Sequence, residues 1–92
     1  MQTIWITGGS SGIGFATAKE FINNNCQVVI SSSNKIKLES AKKKLELNNN
    51  KNLVNAIVCD ISSKNYVDET INSIEKNIGK IDIALLLSLI HI

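Results

Sequence analysis

The sequence predicts an α/β fold, a doubly wound parallel sheet with helices on both faces. Uninterrupted apolar runs recur at Ile4-Trp5-Ile6, Val28-Val29-Ile30 and Ala56-Ile57-Val58, and runs without polar alternation mark strands covered on both faces. Amphipathic stretches of helical length separate them, and regular β-α-β alternation with right-handed crossovers builds this class of sheet. A length of 92 residues, with no internal repeat or long linker, suits one small domain or a piece of a larger one.

The elements follow in order. The first strand is Thr3–Thr7, and the first helix runs from about Gly12 to Asn24. The second strand, Gln27–Ser31, leads into the polar stretch Ser31-Ser32-Ser33-Asn34. The second helix spans about Lys35–Leu47, with Leu38, Ala41 and Leu45 on one face. A loop of asparagines, Asn48-Asn49-Asn50-Lys51-Asn52, precedes the third strand at Leu53–Cys59. Ser62 or Ser63 can cap the third helix by accepting a bond from an early backbone N–H. The buried stripe of that helix is Val67, Ile71, Ile74 and Ile78, spaced as one helix face requires. Gly79 stands where a left-handed C-cap belongs, and the fourth strand starts at Ile81.

Composition excludes several functions. The net charge of +2 is mild and carried by lysine without any arginine, and no aromatic residues interleave with basic ones, so nucleic acid is not an expected partner. Glu39 and Glu46 lie four residues from Lys43 and Lys42, so the Lys42-Lys43-Lys44 run reads as a solvated helix face. No charged and apolar leader precedes the first strand. The apolar run Ile81–Ile92 is broken by Asp82 and His91 and is too short to span a bilayer, so no membrane association is expected. No metal site is expected either. Cys26 starts the second strand and Cys59 ends the third. In a parallel sheet that places them about 15 Å apart at ~3.3 Å per residue, too far for a disulfide. Both read as small buried hydrophobes in a reducing, cytoplasmic setting.

The chemistry is concentrated in Ile4-Trp5-Ile6-Thr7-Gly8-Gly9-Ser10-Ser11-Gly12-Ile13-Gly14. A strand runs into a Gly/Ser turn, and the turn runs into a helix. Backbone N–H groups of such a turn converge on an anion, and the helix dipole favours its charge. Gly8 can turn out of the strand with positive φ. Gly12 allows close approach of a pyrophosphate, and Gly14 allows the helix to pack on the sheet. No Gly-Lys-Ser/Thr follows, which excludes a P-loop. The intact pattern Thr7-Gly8-x-x-x-Gly12-Ile13-Gly14 resembles the short-chain dehydrogenase/reductase family. That resemblance implies a Rossmann-type NAD(P)-binding fold and hydride transfer between a nicotinamide dinucleotide and an alcohol/carbonyl pair.

In such sheets the ligand lies at the carboxyl ends of the strands. At the first end, backbone amides of Ser10, Ser11 and Ile13 are candidates for the pyrophosphate. At the second, an NAD-preferring site usually carries Asp or Glu for the ribose 2′-OH, but here stand Ser32, Ser33 and Asn34. The missing acid favours NADP over NAD. The arginine common in NADP-preferring relatives at the position of Ser33 is absent, and the hydroxyls of Ser32 and Ser33 with Lys35 or Lys37 could substitute. The same serines and asparagine could also simply cap the second helix. At the third end the resemblance implies that Asp60 meets the adenine amino group, with the backbone of Ile61 beside it. A carboxylate accepting from an exocyclic NH₂ gains strength in a partly dry cleft; Asp60 could equally begin the turn into the third helix.

The resemblance covers about residues 3–83 and no catalysis. The family's Asn-Asn-Ala-Gly run should fall at Leu86-Leu87-Ser88-Leu89, which does not match. No Tyr-x-x-x-Lys is present, since Tyr66 is followed four residues on by Thr70. Without that pair no general acid serves the carbonyl oxygen. The expectation is therefore a partial dinucleotide-binding domain over residues 1–92, cut after about four strands. Residues 84–92 read as an aberrant tail whose Ser-Leu-Ile-His-Ile resembles translated adapter DNA. The catalytic Ser and Tyr/Lys, the small-molecule substrate and any homo-oligomer would belong to a longer parent enzyme. The alternatives are a non-catalytic NAD(P)-binding or sensing module, and a product without function.

Overall fold

The computed structural model describes residues 1–8, 12–47, 51–58 and 64–86. Four strands, β1 (Thr3–Thr7), β2 (Gln27–Ser32), β3 (Val54–Val58) and β4 (Ile83–Leu86), alternate with three helices, α1 (Gly12–Asn23), α2 (Lys35–Leu47) and α3 (Lys64–Asn77). All pairings are parallel and the strand order is β3-β2-β1-β4. The order reverses at β1: the chain first steps from β1 through β2 to β3, then crosses back to place β4 on the other side of β1.

Strand side chains alternate between two faces. On one face Ile4, Ile6, Val28, Ile30 and Val54 form a core with Ala18 and Ile22 of α1 and Leu38, Ala41 and Leu45 of α2. On the other face Trp5 and Val29 pack against Ile74 of α3, flanked by Ile57, Val67, Ile71 and Ile78. Both faces are therefore covered, which is why the strands read as unbroken apolar runs. The register sets Thr7 level with Ser31 and Leu86, so the carboxyl ends of β2, β1 and β4 lie side by side.

Several element ends differ from the sequence reading; the second strand runs one residue further, to Ser32, and three others have a local reason. The third strand begins one residue late, because Lys51–Leu53 form a 3-10 turn that feeds it. The fourth begins at Ile83 rather than Ile81, because Asp82 is held crosswise against the first strand. Its N–H donates to the Thr3 carbonyl at 2.9 Å, and its carboxylate accepts from the Thr3 N–H at 2.8 Å. Gly79 closes α3 with φ of 154°, outside the left-handed helical well, and its N–H donates to the Ile74 carbonyl.

The left-handed cap instead terminates α1. Asn25 has φ of 62°; its N–H donates to the Ile22 carbonyl and the Cys26 N–H donates to the Phe21 carbonyl. That bond pair is a Schellman motif with an asparagine in the place usually taken by glycine. Asn25→Ala is expected to lower stability by about 1 kcal/mol and Asn25→Gly to leave it equal or higher, since only the alanine carries the full Cβ penalty in this well. Paired chemical denaturation curves check the ordering; equal midpoints for the two variants would contradict it.

Candidate functional site

The site is built at the carboxyl end of β1, where the strand order reverses; in open α/β sheets this is the position at which ligands bind. The N–H of Gly8 donates to the Ser31 carbonyl at 2.8 Å, extending the β1–β2 ladder by one bond. Gly8 then turns away with φ of 71°. On the other side the Thr7 hydroxyl donates to the Leu85 carbonyl at 3.3 Å. The last residues of β1 are thus fastened to both neighbours before the chain leaves the sheet.

The helix that follows begins at Gly12, with φ of 61°. A Cβ built on Gly12 meets no atom within 4 Å among the described residues. Glycine is therefore required here by the backbone conformation and not by crowding from the described residues, which leave open the space a side chain would fill. Ile13 beside it is 77% exposed, whereas Gly14 is buried and sits in the face that α1 turns to the sheet. The first N–H groups of a helix have no intrahelical partner, so those of α1 are donors beside an open space. This arrangement fits an anionic group approaching the backbone.

The second strand end carries Ser32, Ser33 and Asn34. Asn34 caps α2: its Oδ1 accepts from the Lys37 N–H at 3.0 Å, and its own N–H donates to the Ser32 Oγ at 3.1 Å. Ser33 is exposed between them. Asn34 therefore caps the helix, whereas Ser32 makes a turn onto the Asn34 N–H ahead of it, and Ser33, Lys35 and Lys37 are exposed around them. No acid stands at this strand end.

Of the residues singled out from the sequence, the structure brings together Gly8, Gly12, Ile13, Gly14, Ser32, Ser33 and Asn34 around the ends of β1 and β2. Ser10, Ser11, Asp60 and Ile61 lie outside the described residues, as do Cys59, Ser62 and Ser63. Two residues missed at this site are Trp5 and Ser31. The Trp5 Nε1–H donates to the Ser31 Oγ at 2.9 Å, and both residues are 1% exposed. A tryptophan inside an apolar strand is itself the signal, because a buried indole N–H needs an acceptor.

Among the described residues no cluster of His, Cys, Asp or Glu could hold a metal ion, and no helix is long and apolar enough to cross a membrane.

A strand, a glycine turn and a helix at the switch point of a parallel sheet define a dinucleotide-binding architecture. The short chain dehydrogenase family model matches residues 2–86. The chain belongs to that family, whose members are NAD(P)-dependent oxidoreductases. It is 40% identical over 83 residues to 17-beta-hydroxysteroid dehydrogenase type 3 of Danio rerio, covering 90% of this chain and 25% of that one. It is 32% identical over 84 residues to the peroxisomal 2,4-dienoyl-CoA reductase of the same organism, covering 91% of this chain and 28% of that one. Among solved structures, an NADPH-bound short chain oxidoreductase from Pseudomonas aeruginosa superposes with a TM-score of 0.85 at 26% identity, over 90% of this chain and 32% of that one. The chain thus spans between a quarter and a third of the length of these proteins.

Proposed function

We propose that this chain is the N-terminal cofactor-binding part of an NAD(P)-dependent short-chain oxidoreductase. The whole enzyme would transfer a hydride between NADP(H), or NAD(H), and an alcohol/carbonyl substrate. The observation that carries the reading is Gly12, a left-handed glycine at a helix N-terminus with open space where a Cβ would stand.

In this reading the residues present bind and orient, and the nicotinamide ring, when bound, supplies the redox chemistry. Gly8, Gly12 and Gly14 shape the cradle, and the amides of Ser10, Ser11 and Ile13 donate to the pyrophosphate. Ser32, Ser33 and Asn34 border the adenosine ribose; Asn34 does so as the cap that fixes the start of α2. Asp60 accepts from the adenine amino group beside Ile61. Residues 1–92 then form part of a dinucleotide-binding domain, and the groups that move protons to and from the substrate oxygen belong to the parent enzyme. A cytoplasmic setting fits the buried Cys26 thiol, which is free.

The absence of an acid at the end of β2 supports NADP over NAD, as do the exposed lysines there. Thermal unfolding with each cofactor tests both parts of the proposal. A ligand at about 100 times its Kd adds about 2.7 kcal/mol, about 10–20 °C for a domain of this size. NADPH is expected to give that shift and NADH a smaller one at equal concentration. No shift with either would sink the binding role, and a larger shift with NADH would reverse the preference.

A further inference from the structure

Trp5 sits in the middle of β1, level with Val29 of β2. Its indole does not stop at that partner. It reaches the diagonal neighbour Ser31, two residues nearer the carboxyl end on the same face, and donates to its Oγ at 2.9 Å. Diagonal pairs of this kind are within reach only of large side chains. Ser31 is where the two halves of the candidate site meet. Its carbonyl accepts the Gly8 N–H at 2.8 Å, the bond from which the glycine turn departs. Its chain continuation is Ser32, whose Oγ accepts from Asn34 at the start of α2. Ser31 is thus bonded through its hydroxyl to Trp5 and through its backbone carbonyl to Gly8, and it is followed directly by Ser32, which bonds Asn34.

From this geometry we infer that Trp5 is a positioning residue for dinucleotide binding, acting through Ser31 on the direction in which the chain leaves β1 at Gly8. The inference rests on the binding role proposed above. The indole touches no ligand. It holds the Ser31 hydroxyl, the Ser31 carbonyl holds the Gly8 N–H, and Gly8, with positive φ, is where the chain turns out of the strand. Trp5→Phe removes the donor and leaves only a hydroxyl to re-pair, at a modest cost in stability, whereas Ser31→Ala leaves the indole N–H buried without an acceptor, at a larger one. Small displacements of a positioning scaffold act steeply on function, so Trp5→Phe is the cleaner variant. A larger effect on affinity than on stability is therefore the signature to seek.

The test uses the 92-residue chain with Trp5→Phe, Ser31→Ala and the double variant, and NADPH as the ligand. Trp5→Phe keeps an aromatic ring in the core and removes the donor; Ser31→Ala removes the acceptor and keeps the backbone carbonyl. Hydrogen exchange of the Gly8 amide, measured without ligand, is expected to quicken about tenfold in each variant while the amides of Ile4 and Val28 keep their rates. The Kd for NADPH is expected to rise about tenfold in each, and the double variant to be no weaker than either single one, because all three lose the same bond. Equal Kd values for the variants and the unaltered chain would overturn the inference alone. So would Gly8 exchange that quickens only in step with Ile4 and Val28, since that reports general loosening. An unaltered chain that does not bind NADPH would overturn the binding role itself, and the inference with it.

Discussion

Gly12→Val is expected to remove dinucleotide binding, raising the Kd for NADPH at least 100-fold, while the sheet still forms. Two effects act together at this position. A β-branched residue is forced into the left-handed region that Gly12 occupies at φ of 61°, a strain of about 1–2 kcal/mol. Its side chain also enters the open space in front of the helix, where no described atom lies within 4 Å of a Cβ. The first effect lowers stability within the usual margin of about 5–15 kcal/mol. If a phosphate approaches Gly12 as proposed, the second effect excludes it and predominates for binding, because close approach to the backbone is what a glycine there permits. Titration with NADPH beside a circular-dichroism melt separates the two. A folded Gly12→Val chain that binds as tightly as the original would show that the ligand does not approach Gly12.

The second large effect is structural. Ile74→Ala is expected to destabilise the chain by about 2–5 kcal/mol, the range for emptying a buried isoleucine site. Ile74 is completely buried and is the residue of α3 that enters the cluster with Trp5 and Val29. The opposite face is held by two helices and a larger cluster, so it has alternatives that α3 lacks. Ile71→Ala, at a partly buried position packed against the same cluster, is expected to lose less. Denaturant midpoints for the pair check this, and a Ile71→Ala loss equal to that of Ile74→Ala would mean that α3 is anchored elsewhere.

The fold was legible because two signals agree at every element. The unbroken apolar strands require cover on both faces, and Leu38, Ala41 and Leu45 of α2 then appear buried against one of them. Val67, Ile71 and Ile78 appear against the other. What the residues did not disclose is the local hydrogen bonding that sets element ends. Asn25 closes α1 because asparagine tolerates the left-handed well, yet in Asn23-Asn24-Asn25 nothing marks which asparagine takes it. Asp82 delays β4 by bonding Thr3 from 79 residues away, a contact that no local pattern encodes.

The glycine turn was legible for a related reason: Gly8 and Gly12 both adopt positive φ, and few other residues can. The end of β2 was harder, since serine and asparagine serve caps and ligands with the same atoms. Asn34 is engaged with the Lys37 N–H, a role its side chain can fill with or without a ribose nearby. That Trp5 needs an acceptor is legible in its place in an apolar strand, but that Ser31 supplies it was hidden, because periodicity is silent on where the N–H points.

The measurement that bears most directly on the central claim is a backbone-amide NMR titration of the 92-residue chain with NADPH. Saturable shifts are expected, concentrated at Gly8, at Gly12–Gly14 and at Ser32–Asn34. Ile13 also borders a surface groove on the outer flank of α1, so the discriminating positions are the groove's other residues, Ala16, Thr17, Glu20, Phe21 and Asn24, where little change is expected, as at α3. A chain that shows no saturable shifts, or shows them in that groove and not at the glycine turn, would contradict the account.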